Sequence, residues 1–211
     1  MNIAQQSPAF VDSYSSDEVE RTYRKLTLRL MPFLIICYIV SYLDRANISF
    51  AKLQFMNDLG FSEAAYGLGA GLFFIGYVLF EVPSNIWMQR IGARRTLLRI
   101  MILWGLISSA MMFVNTPLQF YVMRFFLGAA EAGFFPGVIL YLTYWFPAAR
   151  RGRVTGFFMM GAATAGIIGG PLSTGIMVHM AGLHGLHGWQ WLFLLEGLPA
   201  VVLGVVAFYY L

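Results

Sequence analysis

"MPFLIICYIVSYLDRANIS", residues 31–49, is the stretch of sequence that decides the fold. From Met31 to Leu43 it contains no charged residue, and then Asp44 and Arg45 follow side by side. A transmembrane helix needs about 20 mostly apolar residues, so the stretch predicts a membrane-spanning helix. The two charges require an explanation, because placing an ion in hydrocarbon costs at least about 2.5–3.5 kcal/mol.

The whole chain has the composition of a membrane protein. Of its 211 residues 59% are hydrophobic and 11% are charged, against roughly a quarter charged in a typical soluble domain. Six apolar runs are long enough to span a bilayer: 26–50, 64–88, 97–114, 118–146, 154–180 and 189–211. They predict an all-α membrane protein with six transmembrane helices. The polar residues 1–25 do not have the pattern of a cleavable signal peptide and are expected to form a cytoplasmic segment.

The basic residues indicate how the chain is oriented. Eleven of them lie before the first run, between the second and third, between the fourth and fifth, or within the first four residues of the first or third run: Arg21, Arg24, Lys25, Arg29, Arg90, Arg94, Arg95, Arg99, Arg150, Arg151 and Arg153. Positive charge is retained on the cytoplasmic side of a membrane, so both termini are expected in the cytoplasm. The net charge of +4 then needs the lipid bilayer as its partner and no nucleic acid.

Helical spacing sorts the charges inside the first predicted helix. Tyr38, Tyr42, Arg45 and Ser49 recur at i, i+4, i+7 and i+11 and form one polar stripe. Asp44 is offset from Arg45 by about 100°. We therefore expect Arg45 to face a cavity and Asp44 to face a neighbouring helix.

The other intramembrane charges follow the same reasoning. In the fourth run Arg124 and Glu131 share a face but lie about 10 Å apart along the axis, so each is expected to have another partner. Glu81 and Glu196 lie near prolines and helix ends and are expected to be structural. Tyr77 occupies the deeper end of a stripe that continues through Glu81 and Ser84.

These residues suit the binding of an organic anion together with a proton. An arginine in a water-accessible cavity presents a planar fork that matches a carboxylate, and a carboxylate taken out of water can hold a proton at neutral pH. The alternative is that the charges only satisfy their neighbours. An enzyme is disfavoured, because the runs contain neither an H-E-x-x-H cluster nor a nucleophile–base pair. No cofactor is expected beyond the proton as coupling ion, and an assembly scaffold would not need buried charges in two helices.

Two repeating patterns concern the packing. Taken in threes, the first helix of each set carries an acid and an arginine, a faint internal repeat, and many transporters are built from inverted three-helix repeats. Small residues also recur at the spacing that lets helices approach closely. These pairs are Gly67 with Gly71, Gly133 with Gly137, and Gly166 with Gly170.

Several motifs resemble a known family. "NIWMQRIGARR" (residues 85–95) resembles the loop signature of the major facilitator superfamily, and "RFFLGAAEAGFFPG" (124–137) resembles its fourth-helix arginine motif. Within that superfamily "YLDRANIS", "GYVLFEVPSN", "EAGFFPGVILYLTYWFP" and "GWQWLFLLEGLP" are similar to the anion:cation symporters, whose members include transporters for tartrate, galactonate, glucarate and phthalate. The resemblance implies proton-coupled uptake of an organic anion by alternating access, at the bacterial inner membrane.

The resemblance also implies roles for individual residues. Arg45 would hold the substrate carboxylate, with Tyr42 and Tyr77 lining the same cavity. Asp44 and Glu131 would carry protons, and Arg124 would pair with or tune one of them. The remaining positions form the predicted gating loop: Arg90, Gly92, Arg94 and Arg95.

The sequence departs from the family pattern in three ways. Asn85 and Gln89 occupy positions where the superfamily signature usually has Gly and Asp, so the charged contact of that Asp is absent or replaced. The fifth helix offers only Thr164 where relatives can place an amide that contacts substrate. The chain also looks like the N-terminal half of a two-half bundle, one 3+3 inverted repeat that needs a second six-helix half. The alternatives are an inactive half-transporter, or a uniporter or exchanger for sugars or drugs.

Overall fold

The computed structural model describes residues 15–211, and the described chain is built from α-helices joined by short turns. Seven helices follow one another: α1 Ser16–Leu59, α2 Glu63–Ile91, α3 Ala93–Ala110, α4 Pro117–Glu131, α5 Phe134–Trp145, α6 Ala148–His179 and α7 Gly188–Tyr210. With α4 and α5 counted as one span, six segments are long and apolar enough to cross a membrane. The predicted all-α, six-span fold class is confirmed. Of the predicted cytoplasmic segment, residues 1–14 lie outside the described residues.

The first helix begins well before the first apolar run. The Ser15 hydroxyl accepts a hydrogen bond from the Glu18 amide, and the Glu18 carboxylate accepts one from the Ser15 amide. This capping box satisfies two backbone donors that would otherwise lack partners. The helix has 44 residues, about 66 Å at 1.5 Å per residue, whereas the hydrocarbon core is about 30 Å thick. The difference of about 36 Å, roughly six to seven helical turns, means that α1 extends well beyond the hydrocarbon core.

The fourth predicted span is broken in the middle. α4 ends at Glu131 and α5 begins at Phe134, and between them Gly133 has φ 87°, a conformation that only glycine adopts without strain. A Cβ at Gly133 would also lie 2.6 Å from the Ser84 hydroxyl of α2. The break places the Glu131 carboxylate at the end of a half-helix, deep in the bundle.

The helices associate in three main pairs, α1 with α6, α2 with α4, and α3 with α7. In the order of the six spans these are pairs 1–5, 2–4 and 3–6. A two-fold operation that exchanges spans 1, 2 and 3 with 4, 5 and 6 converts the first pair into the second and leaves the third unchanged. The packing therefore has the symmetry of the predicted 3+3 inverted repeat.

Glycines allow the closest helix contacts. A Cβ at Gly128 of α4 would lie 2.0 Å from the Phe73 carbonyl oxygen, and one at Gly76 of α2 would lie 2.2 Å from the Phe125 carbonyl oxygen. Both obstacles are backbone atoms, which cannot rotate away. The α2–α4 interface therefore depends on hydrogen in place of a side chain at these positions.

Three of the six glycines picked out by spacing do not face another helix. Gly67, Gly71 and Gly166 have open space where a Cβ would project, whereas a Cβ at Gly137 would lie 3.2 Å from the Met88 sulfur. Spacing identifies a stripe of small residues but not whether that stripe faces another helix. Gly76 and Gly128, which have no glycine four residues away, make the tight contacts.

We expect Gly128→Ala to destabilise the chain and Gly71→Ala to leave its stability unchanged or raise it. Overpacking typically costs about 1–3 kcal/mol, which lowers Tm by about 3–10 °C for a chain of this size. Replacing a helical glycine by alanine otherwise stabilises by up to about 1 kcal/mol. Thermal unfolding of both variants in detergent provides the comparison. Equal Tm values would show that α2 and α4 are not held at this separation.

Candidate functional site

An ion pair between α1 and α4 forms the centre of the site. The Arg45 Nη2 donates to Glu131 Oε1 at 2.8 Å, and the Ser41 hydroxyl donates to the same oxygen at 2.8 Å. The Glu131 side chain is 1% exposed, whereas that of Arg45 is 36% exposed. The carboxylate is thus enclosed by the bundle while the guanidinium reaches its open face.

Aromatic rings support the guanidinium. The Arg45 Cζ lies 5.0 Å from the centroid of the Tyr77 ring and 5.6 Å from that of Phe73, both within the range of cation–π attraction. Tyr42 is 40% exposed and contacts the edge of the Tyr38 ring at 6.4 Å between centroids. The structure therefore brings Tyr77 against Arg45 and leaves Tyr42 on the same exposed face of α1, about one turn away.

Arg124 lies behind this pair, buried at 3% exposure. Its Cζ is 4.6 Å from the centroid of the same Phe73 ring, so the two arginines share one aromatic platform. Within residues 15–211 its Nε and Nη1 are buried without a hydrogen-bond partner. Glu131 pairs with Arg45 and not with Arg124, in agreement with the distance expected between positions seven apart on α4.

Asp44 belongs to a separate polar cluster on the other side of α1. It is 1% exposed, and its Oδ2 accepts a hydrogen bond from Trp104 Nε1 at 2.8 Å. Its Oδ1 accepts from Asn47 Nδ2 at 3.0 Å and from the Ser108 hydroxyl. Trp104 and Ser108 lie on α3, so Asp44 faces a neighbouring helix as its angular offset from Arg45 predicts.

Sequence reasoning missed the donors around Asp44. Trp104 and Ser108 are four residues apart on α3 and therefore share one helix face, which is the signal that points to a common partner. Of the three donors Trp104 can only donate, whereas the Ser108 hydroxyl and the Asn47 amide can also accept a hydrogen bond. The Asn47 Oδ1 is buried without a partner within residues 15–211. Either of these two groups can therefore turn to accept a hydrogen bond from a protonated Asp44.

Glu196 and Glu81 occupy different surroundings. Glu196 is 4% exposed on α7, and its Oε1 accepts from the Ser173 hydroxyl of α6 at 2.7 Å, which links these two helices. The Glu81 side chain is half-buried, and its backbone carbonyl accepts from Asn85 Nδ2 at 2.8 Å. Ser84, on the same predicted stripe, is buried and accepts from Arg99 Nη2 at 2.7 Å.

The predicted gating residues do not form one cluster. Arg90 and Arg95 are exposed, and Gly92 joins α2 to α3 with φ 87°. Arg94 Nη2 donates to the Leu211 carbonyl at 2.7 Å, which connects this junction to the end of α7.

A residue outside the predicted set links α2 to α3 at this junction. The Arg99 guanidinium donates to Ser84 and lies 4.7 Å from the centroid of the Trp87 ring. Gln89, at the position of the signature Asp, is exposed. The Arg99 contacts were not expected from the sequence, because they require the register between two helices.

A six-span bundle with a half-exposed ion pair at a broken helix defines a polytopic membrane protein with a polar site inside the membrane. The chain belongs to the Major Facilitator Superfamily, whose family model matches residues 34–211. Its resemblance to that superfamily is thereby confirmed, and its relatives are named as transporters.

Three relatives show the range of names. A candidate metabolite transport protein of Pseudomonas putida, NicT, is 59% identical over 187 residues, which cover 89% of this chain and 43% of NicT. A candidate tartrate transporter of Agrobacterium vitis is 53% identical and covers 93% of this chain and 45% of the relative. A quinolone resistance transporter of Acinetobacter baumannii is 51% identical and covers 89% and 43%. The chain thus spans about half the length of the curated relatives it matches.

A solved structure has the same fold. A bacterial homologue of the human lysosomal transporter Spinster, in an inward-facing and occupied conformation, aligns with a TM-score of 0.75 at 20% identity. The alignment covers 90% of this chain and 44% of that one. At this identity the likeness concerns the fold alone.

The neighbouring serines of α3 allow a test of the Asp44 cluster. We expect Ser108→Ala to lower the free energy of unfolding by about 1–2 kcal/mol, since it removes a hydrogen bond to a buried carboxylate. Ser109→Ala is the matched control, because the Ser109 hydroxyl donates to the Gly105 carbonyl of its own helix, and we expect a smaller loss. Thermal unfolding of both variants in detergent measures the difference. Equal losses would remove Ser108 from the cluster.

Proposed function

We propose that this chain provides the anion-binding half of a proton-coupled symporter for an organic anion, a sugar acid or a small dicarboxylate. It would work by alternating access in a bacterial inner membrane. The observation that carries the proposal is the contact between Arg45 and Glu131. The guanidinium is partly exposed, yet one arm of its fork is held by a buried carboxylate.

That contact makes anion binding and proton binding depend on each other. A substrate carboxylate has to compete with Glu131 for the Arg45 fork, since a guanidinium binds carboxylates through the same N–H groups. A proton on Glu131 removes the competing charge and leaves Arg45 free for the substrate. By linkage, a bound anion must then raise the affinity of Glu131 for the proton by the same factor.

Charge balance in the membrane favours the binding of one proton together with each substrate carboxylate. With Glu131 ionised and Arg45 charged, the pair is neutral. Binding one substrate carboxylate alone would leave a net negative charge in a poorly solvated site, which is costly. Adding one proton together with the carboxylate restores neutrality, so the two are expected to cross the membrane together.

Asp44 supplies a second proton site that the anion does not touch. Its three hydrogen-bond donors come from α1 and α3, whereas Arg45 and Glu131 face α2 and the open side. Protonation of Asp44 would weaken the bonds that join α1 to α3. We assign Asp44 to the coupling of proton movement with helix movement. We assign Arg124 to holding the Phe73 ring in place and to making the electrostatic potential at the site more positive.

The second half of the cavity has to come from another six-helix unit. Arg45, Tyr42 and Ser49 lie on an exposed face of α1, and lipid is a poor partner for such a face. The chain spans 43–45% of its relatives, which leaves length for a second bundle in those proteins. Alternating access arises when two such units rock about a shared site.

Contacts at one end of the bundle support the proposed orientation. Arg150 of α6 pairs with Glu20 of α1 at 2.5 Å, and the Tyr210 hydroxyl of α7 donates to the Arg29 carbonyl. Both termini of the described chain therefore lie at the end that carries most of the basic residues. By the positive-inside rule we place this end in the cytoplasm.

A second candidate function is drug transport. The relative from Acinetobacter baumannii, 51% identical, is named as a quinolone resistance transporter. A fluoroquinolone carries a carboxylate, so Arg45 would contact it as it would a sugar acid. Competition between a quinolone and a sugar acid for the same site distinguishes a shared anion site from two separate ones.

The first test is uptake into proteoliposomes. The proteoliposomes would contain this chain, either alone or together with the part of NicT that it does not match. The labelled compounds would be tartrate, galactonate, glucarate, phthalate and neutral galactose. We expect an inward proton gradient to drive accumulation of one acid and not of galactose. Arg45→Ala should weaken binding of that acid about 100-fold, since a bidentate charged contact contributes about 3 kcal/mol. Equal uptake of galactose would refute an anion site.

The second test separates Glu131 from Asp44. We expect Glu131→Gln to bind the anion more tightly and without dependence on pH, because the neutral amide leaves Arg45 free. In the unsubstituted chain anion binding should be tighter at low pH than at high pH, as the linkage between anion and proton requires. Asp44→Asn should keep that pH dependence, and both variants should lose accumulation driven by the gradient.

Binding is measured by titration in detergent and accumulation in proteoliposomes. Thr143→Ala is the control, because its hydroxyl donates to the Leu140 carbonyl of its own helix and Thr143 is not among the residues assigned to the anion site. Gradient-driven accumulation by Glu131→Gln would show that this carboxyl does not couple the proton.

A further inference from the structure

A cavity rich in arginine lies outside the anion site, between the first turns of α1 and α6. It has a volume of about 620 Å³. The charged residues of its lining are Glu20, Arg24, Arg150 and Arg153. We call it the arginine cavity.

The positive charge of the arginine cavity is only partly balanced. The Arg150 Nη2 donates to Glu20 at 2.5 Å and its Cζ lies 4.6 Å from the centroid of the Tyr23 ring. This hydrogen bond lowers the pKa of Glu20, which keeps it ionised at neutral pH. Arg24 and Arg153 form no ion pair with any residue in 15–211. Two positive charges of the cavity therefore lack a protein counter-ion in this part of the chain.

An apolar groove continues from the arginine cavity toward the middle of the membrane. It has a volume of about 310 Å³ and shares Thr27, Leu28 and Phe157 with the cavity. Its deeper lining includes Ile35 of α1 and Met160 of α6. Leu28 is 66% and Met160 58% exposed, so the groove is open along its length.

The depth of the two spaces matches the layers of a bilayer. The first apolar run begins at residue 26, so Arg24 lies at the end of the polar part of α1. The headgroup layer on each side is about 5–8 Å thick, which is about four to five helical residues. The arginine cavity therefore lies at headgroup level and the groove at the level of the acyl chains.

We propose that the arginine cavity and the apolar groove together bind one anionic phospholipid. Its phosphate would contact Arg24 and Arg153, and one acyl chain would lie along Leu28, Ile35 and Met160. A soluble phosphate would use only the cavity, whereas a phospholipid also explains the groove that continues from it. The proposal depends on the membrane orientation and is independent of which substrate the anion site takes.

The test compares lipids on the purified chain in detergent. Phosphatidylglycerol, phosphatidylcholine and soluble glycerol 3-phosphate would be titrated while thermal stability and bound lipid, by native mass spectrometry, are recorded. We expect phosphatidylglycerol to raise Tm and to be retained. Each arginine near an anionic headgroup contributes about five-fold in affinity, so Arg24→Gln with Arg153→Gln should weaken binding about 25-fold.

Two matched controls separate this site from general charge and general hydrophobicity. Arg21→Gln with Arg95→Gln removes the same charge from exposed positions outside the cavity and should leave phosphatidylglycerol binding within about two-fold. Met160→Trp fills the groove and should weaken phosphatidylglycerol binding, while Met159→Trp, at its exposed neighbour outside the groove, should not.

Three results would overturn the proposal. One is equal loss of binding in both arginine pairs, which indicates a diffuse charge effect. Another is glycerol 3-phosphate stabilising the chain as well as phosphatidylglycerol does, which indicates a soluble anion site. The third is loss of phosphatidylglycerol binding when the unmatched part of NicT is added, which assigns the groove to the second half.

Discussion

The contact between Arg45 and Glu131 depends on the cost of charge in a bilayer, and much of the bundle is arranged around it. A carboxylate at 1% exposure needs a cation or a proton, since an isolated ion in hydrocarbon is too unfavourable to persist. The break at Gly133 ends α4 at Glu131 and points the side chain at α1. The close contact of α2 with α4 at Gly76 and Gly128 then fixes how far Phe73 and Tyr77 lie from the guanidinium.

Adjacent residues on α1 serve two different sites because a helix turns by about 100° per residue. Arg45 faces α4 and the open side, and Asp44 faces α3. A movement of α1 therefore changes the surroundings of both together, although no side chain connects them directly. In the proposed symporter this would provide a physical route for coupling between proton and anion that requires only a rigid helix, and not a chain of hydrogen bonds.

Several features were predictable from the sequence because they depend on local pattern. Hydropathy gave the six spans, and helical spacing gave the polar face that contains Arg45 and the opposite orientation of Asp44. The early start of α1 was missed although its signal is present in the Ser15–Glu18 capping box. The break at Gly133 was missed too, although Gly133 and Pro136 are a recognisable interruption of an apolar run.

Features that depend on helix register were beyond the sequence. Local pattern in a single sequence does not predict that Glu131 contacts Arg45 while Arg124 lies over the Phe73 ring. It also does not predict that Trp104 and Ser108 supply the hydrogen-bond donors for Asp44. The same limit explains the wrong glycine pairs, since Gly67 and Gly71 have the right spacing on the wrong face. Local pattern determines which residues share a face, whereas packing determines what that face meets.

The exposed side of Arg45 argues for a two-part cavity on energetic grounds. A guanidinium needs several hydrogen-bond partners, and here Glu131 occupies one nitrogen while Nε is buried without a partner within residues 15–211. Lipid supplies no donors or acceptors at this depth. The remaining capacity of the guanidinium has to be met by water or by polar groups on a facing surface, and in the proposed symporter the substrate would share this role. A cavity shared with a second six-helix half would provide all of these, and it would leave the outer faces of α3 and α7 to contact lipid.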